Sequence, residues 1–195
     1  MRNIESVEEI ERKGKRNKVI LGVTIIGLMV LSTLGFAVLQ GFGATEDNSG
    51  KVDYNGLKFI RNQNGYWEAN TQQGVKLTTF YNPEETNEAN LSIQAGINDF
   101  YNKPLFFVSD NYEAMNELVR NIGGLSNRFQ EVCLKGEKCE FDYIEKTCDD
   151  NIIIIREMNE TKTYKEGNCI FIESQRNQHL LISDKLIFRV YGIQW

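Results

Sequence analysis

Residues 104–124 read PLFFVSDNYEAMNELVRNIGG. Pro104-Leu105-Phe106-Phe107-Val108 is a short, continuous apolar run, the pattern of a buried strand. Asp110 follows as an N-cap, with Glu113 three residues on in a capping-box arrangement. Met115, Leu118, Val119 and Ile122 then recur at helical spacing, and Gly123-Gly124 stops the helix.

Upstream, Leu57–Ile60, Tyr66-Trp67 and Val75–Tyr81 are rich in β-branched and aromatic residues. The segments between them, Asn62–Gly65 and Gln72–Gly74, end in Gly as hairpin turns do, so a strand meander is expected. Pro83 stops the third strand, and Pro83-Glu84-Glu85 resembles the first turn of a helix. Glu88–Asn102 fits two patterns: Leu91, Ile93, Ala95 and Ile97 alternate like a strand, while Ile93, Ile97 and Phe100 fit a helix. Downstream, Phe129–Leu134, Ile152–Ile155 and Cys169–Ile172 read as strands. Leu180–Tyr191 reads as a helix, with a strand pair around Ser183-Asp184 as the alternative. The expectation is an α+β domain on one antiparallel or mixed sheet with two or more helices.

The chain has 195 residues, 41% hydrophobic and 25% charged, enough for one core with an appendage. The appendage is the run Val19–Leu39, VILGVTIIGLMVLSTLGFAVL, which carries no charge. At a rise of ~1.5 Å per residue it matches the hydrocarbon thickness of a bilayer. Arg12, Lys13, Lys15, Arg16 and Lys18 precede it, whereas Glu46 and Asp47 lie after it. The positive-inside rule keeps residues 1–18 in the cytoplasm and exports the chain beyond the anchor. The expected organisation is a basic tail over 1–18, a transmembrane anchor over 19–42, a linker over 43–51 and an exported domain over 52–195. A cleaved signal peptide is the rival; its apolar region is shorter, and Gly41-Phe42-Gly43 is a poor exit site. A pilin-type leader cut at Lys13-Gly14 would leave Lys15, Arg16 and Lys18 on a helix that has to bundle in a filament.

Beyond residue 43 the chain holds 16 basic and 23 acidic residues, a net of −7, which argues against nucleic acid as a partner. The expected partners are the lipid bilayer, through residues 19–42, and an envelope protein or glycan. Cys133, Cys139, Cys148 and Cys169 all lie in the exported part, where thiols oxidise. Of three pairings, Cys133–Cys139 with Cys148–Cys169 is preferred. Zinc wants tighter pairs than gaps of five, eight and twenty residues.

No motif points to a cofactor or metal, and no catalytic residue is assigned. His179, the one histidine, sits in a polar stretch and is expected at the surface. Glu140, Asp142, Glu145, Asp149 and Asp150 lack calcium-loop spacing and read as a solvated acidic loop. Asp184 falls among apolar neighbours, where a functional, hydrogen-bonded or surface-facing carboxylate is expected. Asn90-Leu91-Ser92 and Asn159-Glu160-Thr161 make Asn90 and Asn159 candidate glycosylation sites.

Thr147-Cys148, with Arg156 eight residues after the cysteine, resembles the sortase transpeptidases over about ten residues. That likeness implies Cys148 as nucleophile and Arg156 at the oxyanion. Sortases place their histidine before the cysteine, whereas His179 follows it. More broadly, the chain resembles uncharacterised single-pass proteins of archaea with reduced genomes. The shared features are the basic tail, the apolar anchor, Tyr54-Asn55-Gly56-x-x-Phe59, the spaced cysteines and the ending Tyr191-Gly192-Ile193. This likeness implies an envelope location and no assigned activity. The expectation is a non-enzymatic tethered domain that binds or assembles at the envelope, the alternatives being a sortase-like cysteine enzyme or a pilin-like subunit.

Overall fold

The computed structural model describes residues 18–30, 50–139 and 141–194. The chain divides into two compact units, Met1–Asp47 and Asn48–Trp195. In the first, residues 18–30 form a helix, α1. Val19, Leu21, Val23, Ile26 and Leu28 on it are each more than half exposed. Among the described residues no helix is long and apolar enough to cross a membrane. The basic tail to residue 17, the rest of the apolar run and the expected linker to residue 49 lie outside the described residues.

The second unit is α+β. It opens with an antiparallel meander of β1 (Lys51–Tyr54), β2 (Leu57–Arg61), β3 (Trp67–Asn70) and β4 (Lys76–Thr79), in that spatial order. Asn55 and Gly56 join β1 to β2 with φ of 51° and 76°. Two left-handed residues suit the right-handed twist of paired strands, which is why Asn-Gly is favoured there. A 3₁₀ turn over Glu85–Glu88 stands where the sequence predicts a first helical turn. Residues 89–96 then run extended into a single turn of helix, α2 (Ile97–Phe100). Both patterns read in Glu88–Asn102 are present, one after the other.

The central stretch forms β5 (Pro104–Ser109) and α3 (Tyr112–Ile122). The N-cap is Asn111 rather than Asp110: its side chain accepts from the backbone N–H of Glu113 at 3.1 Å and of Ala114 at 3.3 Å. Asp and Asn cap equally well, so an Asp-Asn pair leaves the start ambiguous by one residue. Next come β6 (Arg128–Glu131), β7 (Cys133–Leu134), β8 (Glu145–Lys146), β9 (Ile152–Glu157), β10 (Lys162–Glu166) and β11 (Cys169–Ser174). The last helix is α4 (His179–Val190). Ser183 and Asp184 lie inside it, so the strand-pair alternative is set aside.

In place of the single sheet expected, there are two and a short ladder among the described residues. The larger is ordered β10-β11-β9-β5-β6, and β7 pairs with β8. Only β10–β11 is antiparallel in the larger sheet; β11–β9, β9–β5 and β5–β6 are parallel. α3 supplies the crossover that a parallel β5–β6 pair requires. One face of this sheet, with Phe107, Ile153 and Ile172, packs on α3, α4 and the meander in a single cluster. The other face, with Phe106, Ile154 and Phe171, is covered by Val132, Leu134 and Cys148. Burial on both faces is why Ile152–Ile155 shows no alternation.

Candidate functional site

Cys133 is bonded to Cys139 and Cys148 to Cys169, with Cα separations of 5.9 and 5.0 Å. The Cys148 sulfur is therefore not a thiol, and a sortase-like reaction lacks its nucleophile. The Arg156 guanidinium is paired with the carboxylate of Glu137. His179 is not at the surface but fully buried at the start of α4. Its Nε2 lies 2.9 Å from the carbonyl of Arg156 and 3.0 Å from that of Ser174, so this nitrogen carries the hydrogen. Nδ1 is then the acceptor for the Asn111 amide at 3.3 Å. The polar neighbours in sequence turn outward at the helix start while the imidazole turns in, tying the ends of β9 and β11 to the cap of α3.

Asn90 and Asn159 are both exposed. In the acidic stretch Asp142, Glu145 and Asp149 are exposed, and Asp150 pairs with Lys146 at 3.1 Å; Glu140 lies outside the described residues. Among the described residues no group of three or more His, Cys, Asp or Glu is placed to hold a metal.

Asp184 is buried against Glu117 of α3, and the pair closes the free edge of the meander. β4 pairs on one side with β3 only. On the other side Asn121 accepts from the Thr78 N–H at 2.8 Å and donates to the Thr78 carbonyl at 2.9 Å. Just beyond β4, the Phe80 N–H donates to Glu117 at 2.9 Å and the Tyr81 N–H to Asp184 at 2.8 Å. Helix side chains thus take the place of a fifth strand. Glu117 also accepts from Arg120 at 2.8 Å. Asp184 Oδ1 has no N–H or hydroxyl donor, and the group beside it is the Glu117 carboxyl. A proton shared between the two carboxyls would satisfy both. Burial first, and then the neighbouring Glu117, hold Asp184 well above the usual aspartate range. Burial also raises Glu117, against the pull of Arg120.

Lys185 and Arg189 do the same for the 3₁₀ turn and the extended segment before α2. Lys185 donates to the carbonyls of Asn87 at 3.1 Å and Ala89 at 2.8 Å. Arg189 reaches those of Leu91 at 2.9 Å and Ile93 at 2.5 Å. Each side chain spans two alternate carbonyls, and the step of four from Lys185 to Arg189 carries the contact four residues further along the segment. The buried charges of α4 therefore serve the backbone.

Two surface depressions flank α3 and share Glu113. One, of about 490 Å³, is bounded by Asn111, Tyr112, Arg176 and Asn177. The other, of about 370 Å³, is bounded by Tyr66, Phe80, Asn116 and Arg120, with Glu117 also contributing. The Arg120 guanidinium lies 4.9 Å from the centre of the Tyr66 ring. None of these side chains stands out in the sequence as a site residue. Glu117 and Asn121 do carry a signal, because they fall one turn apart beside the apolar stripe of α3. No protein family, no curated protein and no solved structure matches this chain.

Proposed function

We propose that this chain is a membrane-tethered, extracytoplasmic binding domain without catalytic activity, acting at the cell envelope. The observation that carries the reading is the pairing of all four cysteines in two disulfides. Such bonds persist outside the reducing cytoplasm. The uncharged run Val19–Leu39 supplies the tether, and the basic residues before it set the orientation. The likeness to single-pass archaeal proteins agrees with the same location. Protease added to intact cells is expected to remove the domain while sparing a tag on the Met1–Lys18 tail. Loss of the tag from outside, or a domain protected until the cells are lysed, contradicts the reading.

A further inference from the structure

The two depressions beside α3 share Glu113, and their chemistry is specific. Tyr112 lines one depression and Phe80 the other, 52% and 41% exposed, and the two adjoin at Glu113 to make one groove. The same lining carries the exposed amide of Asn116, the carboxylate of Glu113 and the amide of Asn177. From Tyr112 to Arg120 the helix advances about 12 Å, roughly two or three sugar rings. We propose that this groove binds a neutral linear oligosaccharide, its rings stacked by their C–H faces on Tyr112 and Phe80 and its hydroxyls held by Asn116, Asn177 and Glu113. The assignment rests on the reading of the domain as an envelope binding module and names its ligand class.

Two observations favour a glycan over an added peptide strand or a polyanion. A peptide strand adding to β4 would need free edge groups, and those of Thr78, Phe80 and Tyr81 are already held by Asn121, Glu117 and Asp184. The lining holds Glu113 and Glu117 with Arg120 and Arg176, and Arg176 is itself paired with Glu157 at 3.6 Å, so no excess of positive charge is offered to a polyanion. The far wall of the groove is also fixed in advance. Arg120 is held by Glu117 and lies over Tyr66, and Glu117 is itself fastened to the Phe80 N–H. A preset wall lowers the entropy cost of binding.

The test is calorimetric titration of the full chain in phospholipid nanodiscs, free of sugar detergents. The probes are cellotetraose, mannotetraose and tetra-N-acetylchitotetraose. At least one is expected to bind with Kd at or below about 1 mM. Phe80→Ala and Tyr112→Ala should each weaken it about tenfold, while Tyr101→Ala, 65% exposed and outside the groove, should leave it unchanged. Circular dichroism spectra matching the parent chain would show that the variants fold. No binding by any of the three overturns the proposal. So does binding that survives the double variant F80A/Y112A, or equal binding of tetragalacturonate or of an unstructured peptide. Because purified protein is used, this outcome is independent of the protease experiment: a domain shown to be exported but blind to all three sugars loses its ligand and keeps its location.

Discussion

Asp184 shows how much one buried proton can decide. In the folded chain it accepts the Tyr81 N–H and faces Glu117, and both burial and that neighbour favour the protonated form. In the unfolded chain it ionises near its ordinary value of 3.8. Above that pH the unfolded state holds fewer protons than the folded one, so this group's contribution is complete in acid and is lost as pH rises towards the folded value. Asp184→Asn replaces the shared proton with an amide N–H that donates to Glu117 and keeps an oxygen for Tyr81. Thermal melts from about pH 4 to about pH 9, upward from the ordinary carboxylate values, should show less loss of Tm with rising pH in Asp184→Asn than in the parent. An unchanged slope would remove the shared proton from the account. Glu117→Ala should cost about 2–3 kcal/mol, since it strands the Phe80 N–H and the partner carboxyl together. Asp184 is conspicuous in the sequence because it interrupts an apolar helix. That it meets Glu117 is not, because no local pattern relates residues on two helices so far apart along the chain.

Elements in this domain are held at their edges by side chains from other elements. Asn121 is the plainest case, bonding both the N–H and the carbonyl of Thr78. Asn121→Ala should cost about 1–3 kcal/mol in denaturant unfolding. Retention of full stability would mean that water replaces both bonds. Gly167, between β10 and β11, is a second constraint: its φ is +56° and an added Cβ would lie 2.6 Å from the carbonyl oxygen of Cys148. The Asn168 N–H donates to that same oxygen at 2.7 Å. Gly167→Ala should therefore destabilise by about 1–3 kcal/mol, read as a lower denaturant midpoint. The strongly apolar elements, β5, β9, β11, α3 and α4, are legible because burial dictates their composition. β10 is not: Lys162–Glu166 is charged at three of its five positions, and it is a strand because β11 presents an edge to it. The same holds for β1, whose Lys51 and Asp53 face outward while Val52 packs on the core. The sheet count is illegible for a related reason. Whether a meander joins the next sheet or stands across a helical layer depends on which side chains close its last edge, here Asn121, Glu117 and Asp184.

At the scale of the molecule, the Cys148–Cys169 bond joins compartment, sequence and fold. It fastens the segment covering the far face of the larger sheet to the start of β11. Its sequence separation of 21 residues implies a stabilisation of roughly 3 kcal/mol in the chain-entropy treatment. Cys148→Ser should lower the melting temperature markedly, and Cys148→Ser/Cys169→Ser should be little worse than the single change, because one crosslink is lost in both. The two pairs are within reach of the sequence, since near neighbours on short loops pair most readily. The α3 groove is not, since its walls come from the β2–β3 turn, the end of β4, α3 and the approach to α4. The central claim, a disulfide-held domain outside the cytoplasm, is tested most directly by alkylating the protein in native membranes before reduction and mapping its peptides by mass. The account predicts that Cys133–Cys139 and Cys148–Cys169 are recovered as linked peptides with no alkylated cysteine. Four alkylated thiols, or links between any other pairs, would contradict it.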